Sequence, residues 1–543
     1  MQLLLLLVFA LTITVALIPP LANAASRFHL LDRPGERKVH AMPIPRIGGI
    51  AMVAGTLLPL LFMAGLPGEW LPIYAGVAIL LVMGLADDRF DLPWPLKLAA
   101  QVAACALAVG PGGVTIEFAT FADRVELPGA VSVILSFLFL VGVTNAINLS
   151  DGLDGLAGGT TLLSIIAIGW ISLSSGNIAV ASTTAALAGA LLGFLRFNTH
   201  PARVFMGDSG SQVLGFLAGV VAIKATQGAE STVSTALPVL LLAWPILDTV
   251  TVMIERVRDG RSPFSPDRRH FHHRLLALGF DHYQAVLIIY AVQGALFLLA
   301  YFLRFESDLV IGATFVLFAA LVVGMLEGAR ARGWRWARAA REPSQLAAQV
   351  RWLGSGDRLG TLCRGVLLAL LFAYALSIAC SAQPVTRDVA ALSAALVVAQ
   401  LAVVVWGNRM TTVILMRAAL FVAAAMSVWL DQQSLGALAP GSPWSIALFA
   451  ALALLVLLRF RLSGERRFAF TTLDALVLFV AAVAPLIAQG SESSAAIGTG
   501  ILKLVALGYA LEFAFTEARV MRGGAIVAAM LFGVVALRGV LPM

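Results

Sequence analysis

The sequence predicts an all-α polytopic membrane protein, and three observations carry that prediction. Of its 543 residues 60% are hydrophobic and only 12% charged, and the mean hydropathy is +0.92. A soluble chain could not hide so much apolar surface. The apolar residues also come in long unbroken runs, which fits helices of about 20 residues and excludes the alternating strands of a barrel. Finally, the cationic residues are distributed unevenly. If the loop 23–46 is cytoplasmic, all but six of the 37 Lys and Arg fall in cytoplasmic loops, the exceptions being Arg124, Lys224, Arg304, Arg387, Lys503 and Arg538. That is the positive-inside pattern. It explains the net charge of +7 without invoking nucleic acid.

The spans follow in order. About eleven fall near 1–22, 47–64, 70–86, 94–110, 129–148, 156–174, 177–195, 210–225, 232–254, 284–303 and 308–327. About seven more fall near 361–380, 388–406, 411–430, 444–458, 469–488, 494–516 and 523–540. The total of about 18 transmembrane helices puts both termini outside. The first run ends in Ala22-Asn23-Ala24, like a signal-peptidase site, but it has no positive n-region and is long. We read it as a span that stays attached. The outside segment 112–129 alternates in polarity and predicts a short β-hairpin. Cys105, Cys363 and Cys380 lie in or beside apolar runs, with no metal-ligand spacing.

The segment 328–364 carries eight arginines with interleaved tryptophans. It reads as a basic cytoplasmic linker (329–360) that contacts the membrane surface. It divides a domain of residues 1–328 from one of residues 361–543. Almost every polar motif precedes it, on the inside face: DRPGERKVHAMPIPRIGG (32–49), ADDRFDLP (86–93), NAINLSDGLDGLAGG (145–159), RVFMGDSGS (203–211) and SPFSPDRRHFHHRLLALG (262–279).

On a helix, Asp87 and Asp88 are each within one turn of Asp91, so the three can share a face. Like charges that close call for a compensating cation, and oxygen clusters suit Mg²⁺, Mn²⁺ or Ca²⁺; the plainer reading is a hydrated interfacial turn. Asn148, Asp151 and Asp154 are spaced i, i+3, i+6, with Gly152 and Gly155 placed to interrupt a helix. Asp208 opens an apolar span among small residues, where it either caps the helix or serves phosphate and metal. His270, His272 and His273 lie among Arg268, Arg269 and Arg274. Neighbouring positive charge favours neutral imidazoles, and clustered Arg and His donors suit phosphate oxygens, unless the segment is simply a basic loop. Together, acids for a divalent cation and donors for phosphates describe a polyanion, such as a nucleoside diphosphate, meeting a membrane-resident partner.

DDRFD, NAINLSDGLDGLAGG, VFMGDSGS and HFHHRL, in this order, resemble the polyprenyl-phosphate N-acetylhexosamine-1-phosphate transferases (glycosyltransferase family 4 type), as does RKVHAMPIPRIGGIA. The resemblance covers residues 1–328. It implies transfer of a sugar 1-phosphate, N-acetylglucosamine by default, from a UDP-N-acetylhexosamine to undecaprenyl phosphate, with release of UMP. It implies Mg²⁺, with Mn²⁺ as a substitute, a bacterial inner-membrane location, and it admits a homodimer. By resemblance the catalytic and metal aspartates are Asp87, Asp88, Asp151, Asp154 and Asp208. Asp208 is the main metal ligand, Asp87 and Asp88 serve the lipid phosphate as well as the metal, and Asn148, Asp151 and Asp154 line the nucleotide pocket. Arg268, Arg269, His270, His272 and His273 contact phosphate or sugar. Phe271 interrupts the run of three histidines seen in the muramoyl-pentapeptide branch, which favours the simpler N-acetylhexosamine branch.

Residues 361–543 carry no comparable motif and read as a scaffold or docking region, with Asp474, Glu512 and Arg538 in or near apolar runs. Two rival readings are an ion-coupled transporter, against which the acids lie at span ends rather than midplane, and a non-catalytic assembly scaffold.

Overall fold

The computed structural model describes residues 2–32, 42–65, 68–121, 123–228, 232–262, 269–336, 357–380, 385, 387–406, 409–432, 442–462, 470–487, 492–515 and 518–540. Arg268 and most of the basic segment 329–360 therefore lie outside the described residues. The architecture is helical throughout, with two short antiparallel strand pairs. Among the described residues, eight helices are long and apolar enough to cross a membrane, and further apolar helices are shorter. The protein is thus an all-α, multi-pass membrane protein. The chain forms two compact units, residues Gln2–Arg338 with Thr471–Leu476, and Ala339–Phe470 with Val477–Met543.

The first unit is built around one helix. Its elements are α1 (Gln2–Ala24), α2 (Gly48–Pro59, continued by a π-type turn at Leu60–Ala64), α3 (Trp70–Phe90), α4 (Trp94–Val109), α5 (Gly129–Ser150), α6 (Leu156–Ser174), α7 (Ile178–Asn198) and α8 (Gly207–Thr226). Then come α9 (Leu237–Leu241), α10 (Ala243–Arg258), α11 (Phe271–Ala277), α12 (His282–Leu303) and α13 (Asp308–Ala331). Helix α8 packs against α2, α3, α5 and α6 and is almost wholly buried, whereas α13 buries only Ile311. Small residues make the crossings close: a Cβ on Gly84 of α3 would lie 2.3 Å from the Ser209 Cα of α8. Close backbone approach of this kind is how helices associate where lipid supplies no hydrophobic drive.

The sequence predicted one span over 232–254, and the structure corrects it. The segment breaks at Leu242 into α9 and α10. Pro245 has no N–H to offer the Leu241 carbonyl, so a helix cannot run through with its ladder intact. The carbonyl is instead satisfied from neighbouring helices: Ser164 Oγ donates to it at 2.7 Å and Gln293 Nε2 at 2.8 Å. A broken helix is tolerated at membrane depth only where protein re-satisfies the backbone.

The hairpin expected at 112–129 is present. Strands Phe118–Thr120 and Arg124–Glu126 pair antiparallel, with Ala119 opposite Val125. Asp308 at the start of α13 secures it. Its carboxylate accepts from Thr120 N at 2.6 Å, and also from Ser234 Oγ at 2.6 Å and Ala236 N at 2.9 Å.

In the second unit, the helix Arg387–Trp406 packs on Ala518–Val540, and Arg409–Gln432 packs on both Glu492–Ala514 and Ala518–Val540. Lys503 forms an ion pair with Asp431, with both side chains buried, and its ammonium lies 5.2 Å from the Phe449 ring centroid. Gln432 Nε2 donates to Thr499 Oγ1 at 3.3 Å. In the Thr471–Leu476 segment, which belongs to the first unit, Asp474 and Thr471 close a reciprocal cap, Thr471 N donating to the Asp474 carboxylate at 2.7 Å and Asp474 N donating to Thr471 Oγ1 at 3.2 Å.

Candidate active site

The site assembles at the N-terminus of α8. Helix α3 ends at Phe90, and Asp91 adopts a left-handed conformation, φ 51°, with its N–H on the Asp87 carbonyl. That turn directs Asp91 away. The face predicted for Asp87, Asp88 and Asp91 therefore holds only the first two, and Asp91 is exposed. Asp88 reaches across to α8, where its two oxygens accept from Asp208 N at 3.0 Å and Ser209 N at 3.2 Å. It caps α8 from a neighbouring helix and satisfies donors that otherwise lack an intrahelical partner. Asp87 accepts from Leu92 N at 2.8 Å through one oxygen and meets Lys97 Nζ at 2.6 Å through the other.

Lys97, on the first turns of α4, also lies 3.7 Å from Asp208 Oδ2, so one ammonium bridges two carboxylates. Asn148, in the last turn of α5, donates to Asp208 Oδ1 at 2.9 Å and to Ser211 Oγ at 2.7 Å. Arg46 approaches from the other side. The segment from Pro45 into the start of α2 runs along Phe205 and Met206, with Phe205 N on Pro45 O at 2.8 Å and Gly48 N on Phe205 O at 3.0 Å. This brings Arg46 Nη1 to 3.7 Å from Asp88 Oδ1, while Nη2 pairs with Asp32.

Accessibility separates the aspartates. The side chains of Asp87 and Asp88 are 2% and 1% exposed, whereas that of Asp208 is 37% exposed. Asp208 is therefore the carboxylate a ligand can reach.

Helix α5 ends at Ser150, so Asn148, Asp151 and Asp154 do not share one helical face. Asn148 turns to Asp208. Asp151, at the helix end, is pushed up to about 7, first by burial and then by the carboxylates of Asp208, Asp88 and Asp154, with Arg46 acting against them. The Asp154 carboxylate accepts from Ala202 N at 3.1 Å and meets His200 Nδ1 at 2.7 Å; its hydrogen bonds run to these residues rather than to Asp208. The glycines of the motif do allow close approach. A Cβ on Gly159 would lie 1.9 Å from the Tyr290 hydroxyl, which donates to the Gly155 carbonyl at 2.7 Å.

The histidine motif meets the same turn. The His272 ring lies against Gly152, its Nε2 being buried without a hydrogen-bond partner among the described residues. Burial holds His272 at about 3, with His273 adding to the shift, so it is neutral for a different first reason than arginine proximity. His270 Nδ1 lies 3.0 Å from Asp248 Oδ2, whose other oxygen accepts from Phe271 N at 2.7 Å. Arg269 and Arg274 are engaged by acids. Arg269 meets Asp259 at 2.6 Å, and Arg274 meets Glu255 at 2.6 Å and Glu327 at 2.8 Å.

Sequence reasoning missed Lys97 and Asp248 and did not assign Arg46 a role. Lys97 is a lone cation in PWPLKLAA, six residues past DDRFD. Asp248 is an acid inside an apolar stretch, a signal that marks function by default.

Among the described residues, four carboxylates, Asp87, Asp88, Asp151 and Asp208, thus face two cations, Lys97 and Arg46. The donors are hard oxygens, and the balance is negative. Such a set fits Mg²⁺ or Mn²⁺.

The chain is similar to known proteins. The profile of "Glycosyl transferase family 4" matches residues 70–226, which include the aspartates from Asp87 to Asp208. The chain is 35% identical to the "Probable undecaprenyl-phosphate N-acetylglucosaminyl 1-phosphate transferase" of Bacillus subtilis, over 52% of this chain and 79% of the relative. It is 36% identical to the decaprenyl-phosphate N-acetylglucosaminephosphotransferase of Mycolicibacterium smegmatis, over 50% and 74%. It is 31% identical to the undecaprenyl-phosphate alpha-N-acetylglucosaminyl 1-phosphate transferase of Escherichia coli K12, over 54% and 83%. On the strength of this coverage and of the aspartates gathered at α8, the chain belongs to glycosyl transferase family 4, the polyprenyl-phosphate N-acetylhexosamine-1-phosphate transferases.

Proposed function

We propose that the protein transfers N-acetylglucosamine 1-phosphate from UDP-N-acetylglucosamine to undecaprenyl phosphate, releasing UMP. The observation that carries the reading is the excess of carboxylate over cation around the exposed Asp208. It calls for a divalent cation and, with it, a phosphate-bearing substrate. The uneven distribution of Lys and Arg supports a cytoplasmic site in a bacterial inner membrane and both termini outside.

Near neutral pH a phosphate monoester is largely dianionic, its second pKa being about 6. The lipid phosphate is then already a nucleophile and needs little general-base help. One of its oxygens attacks the β-phosphorus of the nucleotide sugar. The new P–O bond forms as the bond from that phosphorus to the bridging oxygen breaks, and UMP leaves with the electron pair. Asp208, with Asp87 behind Lys97, would hold the metal. Bound Mg²⁺ would neutralise diphosphate charge and polarise the leaving phosphate. Asn148 fixes Oδ1 of Asp208, and Lys97 lies 3.7 Å from Oδ2. Lys97 keeps Asp87 and Asp208 close at tolerable electrostatic cost. Asp88 acts through α8, holding the start of the helix that bears Asp208. Asp248 orients His270 toward a substrate phosphate or sugar.

Purified protein supplied with UDP-N-acetylglucosamine, undecaprenyl phosphate and Mg²⁺ should release UMP and form the lipid diphosphate sugar. Failure to release UMP with any UDP-N-acetylhexosamine, in protein that still binds the nucleotide, would overturn the reading in favour of a scaffold. Exchange of labelled UMP into UDP-sugar without lipid acceptor would replace direct attack with an aspartyl-phosphate intermediate.

A further inference from the structure

We infer that Asp154, His200 and His282 form a second metal site, for a divalent transition ion of the zinc class, separate from the oxygen-lined cluster at Asp208. Their ligand atoms converge from three segments: the turn after α5, the loop between α7 and α8, and the first residue of α12. One carboxylate oxygen and one nitrogen from each imidazole lie within 4.8 Å of one another. The two rings stack with centroids 4.1 Å apart and planes 20° apart. His200 Nδ1 lies 2.7 Å from Asp154 Oδ2, and His282 Nε2 lies 3.3 Å from the Asp154 carbonyl. A backbone hydrogen bond from Ala202 N, 3.1 Å, fixes the same carboxylate.

The donor set decides the metal. Two imidazoles and one carboxylate are a borderline set that suits zinc, iron or cobalt and leaves positions open, whereas hard all-oxygen sets suit magnesium. Metal–nitrogen bonds of about 2.0–2.1 Å would require the His200–Asp154 pair to open slightly from its hydrogen-bonded separation. An imidazole binds metal through an unprotonated nitrogen, so any proton on His200 Nδ1 passes to Nε2 or to solvent as the metal enters, and the filled site, one carboxylate with two neutral imidazoles, carries one net positive charge. Occupancy ties together the DGLDG turn, the loop that leads into Asp208 and the start of α12. The site is partly open: His200 and Asp154 side chains are 41% and 19% exposed.

The test uses full-length protein in nanodiscs, with millimolar Mg²⁺ present to saturate the oxygen cluster. Zinc uptake is read by elemental analysis after dialysis against buffered Zn²⁺, and Co²⁺ is added separately to read ligand-field absorption. The wild type should retain one equivalent of zinc, give a nitrogen-and-oxygen cobalt spectrum, and melt at a higher temperature with zinc than without. His200→Ala and His282→Ala should each weaken uptake at least about tenfold and lose the zinc-dependent rise in melting temperature, while Asp208→Asn and His273→Ala keep both. His200→Gln and His282→Gln serve where the alanine variants do not fold. No retained zinc in the wild type, wild-type uptake in the His200 and His282 variants, or loss of uptake in His273→Ala would each overturn the assignment and leave a hydrogen-bonded Asp–His pair with a stacked second imidazole.

Discussion

The two units of this chain both place charge among apolar helices, but they do it differently. Around α8, among the described residues, four carboxylates gather against two cations, and one of the carboxylates, Asp208, is open. In the second unit Asp431 and Lys503 are both buried, 3% and 10% exposed, and their charges sum to zero. A pair that cancels can serve register and packing alone. A cluster that does not cancel is complete only with something from outside. Net charge within a cluster therefore separates a site from a strut more sharply than the presence of charge does.

That contrast can be broken or sharpened experimentally. The largest effect is expected at the open carboxylate: Asp208→Asn should lower UMP release about 10³-fold without changing the melting temperature. A loss of under tenfold would show the cluster's excess charge to be idle. In the second unit, Lys503→Met alone should destabilise by about 3 kcal/mol, because it leaves a buried carboxylate unpaired, and Asp431→Leu with Lys503→Met should recover most of that. UMP release per folded molecule should stay at wild-type level in the double variant. A specific loss of activity there would make the pair functional and erase the contrast.

Asp248→Asn should reduce turnover by about 10- to 100-fold, the range for a carboxylate that orients a functional imidazole. A KM-only effect would confine His270 to substrate binding. The smallest effect concerns pH. His272 is held at about 3 when folded, while an unfolded histidine titrates near about 6.5. Between those values the unfolded chain binds the extra proton, so stability declines as pH falls below about 6.5. The cost reaches about 2 kcal/mol at about pH 5. Melting temperatures measured over this range should fall more steeply for the wild type than for His272→Gln, and equal slopes would refute the assignment.

Much of this was legible in the sequence because it is local. Hydropathy runs show where helices lie, and short strings such as GDSGS or DGLDG carry their acids and glycines together. What was not legible depends on partners far along the chain. Lys97 is unremarkable until α3 and α8 set Asp87 and Asp208 on either side of it. Asp248 gains meaning only when α11 returns to it. Helical spacing misled at one place: Asp91 lies in a left-handed turn just past α3, whereas the helix break that Gly152 and Gly155 suggested is present, α5 ending at Ser150 between Asn148 and Asp154. The span 232–254 failed because the hydrogen bonds that tolerate its break come from Ser164 and Gln293, on other helices.

The Asp88 cap has a consequence for how the enzyme meets phosphate. Amides at a helix start make a ready cradle for anions. Here two of the α8 amides, those of Asp208 and Ser209, are already occupied by a carboxylate from α3. The protein has in effect installed its own resident anion where inorganic phosphate or a stray nucleotide would otherwise lodge. Those two amides are closed to a substrate phosphate for as long as Asp88 holds them, so the start of α8 recruits negative charge from within the fold before any ligand arrives.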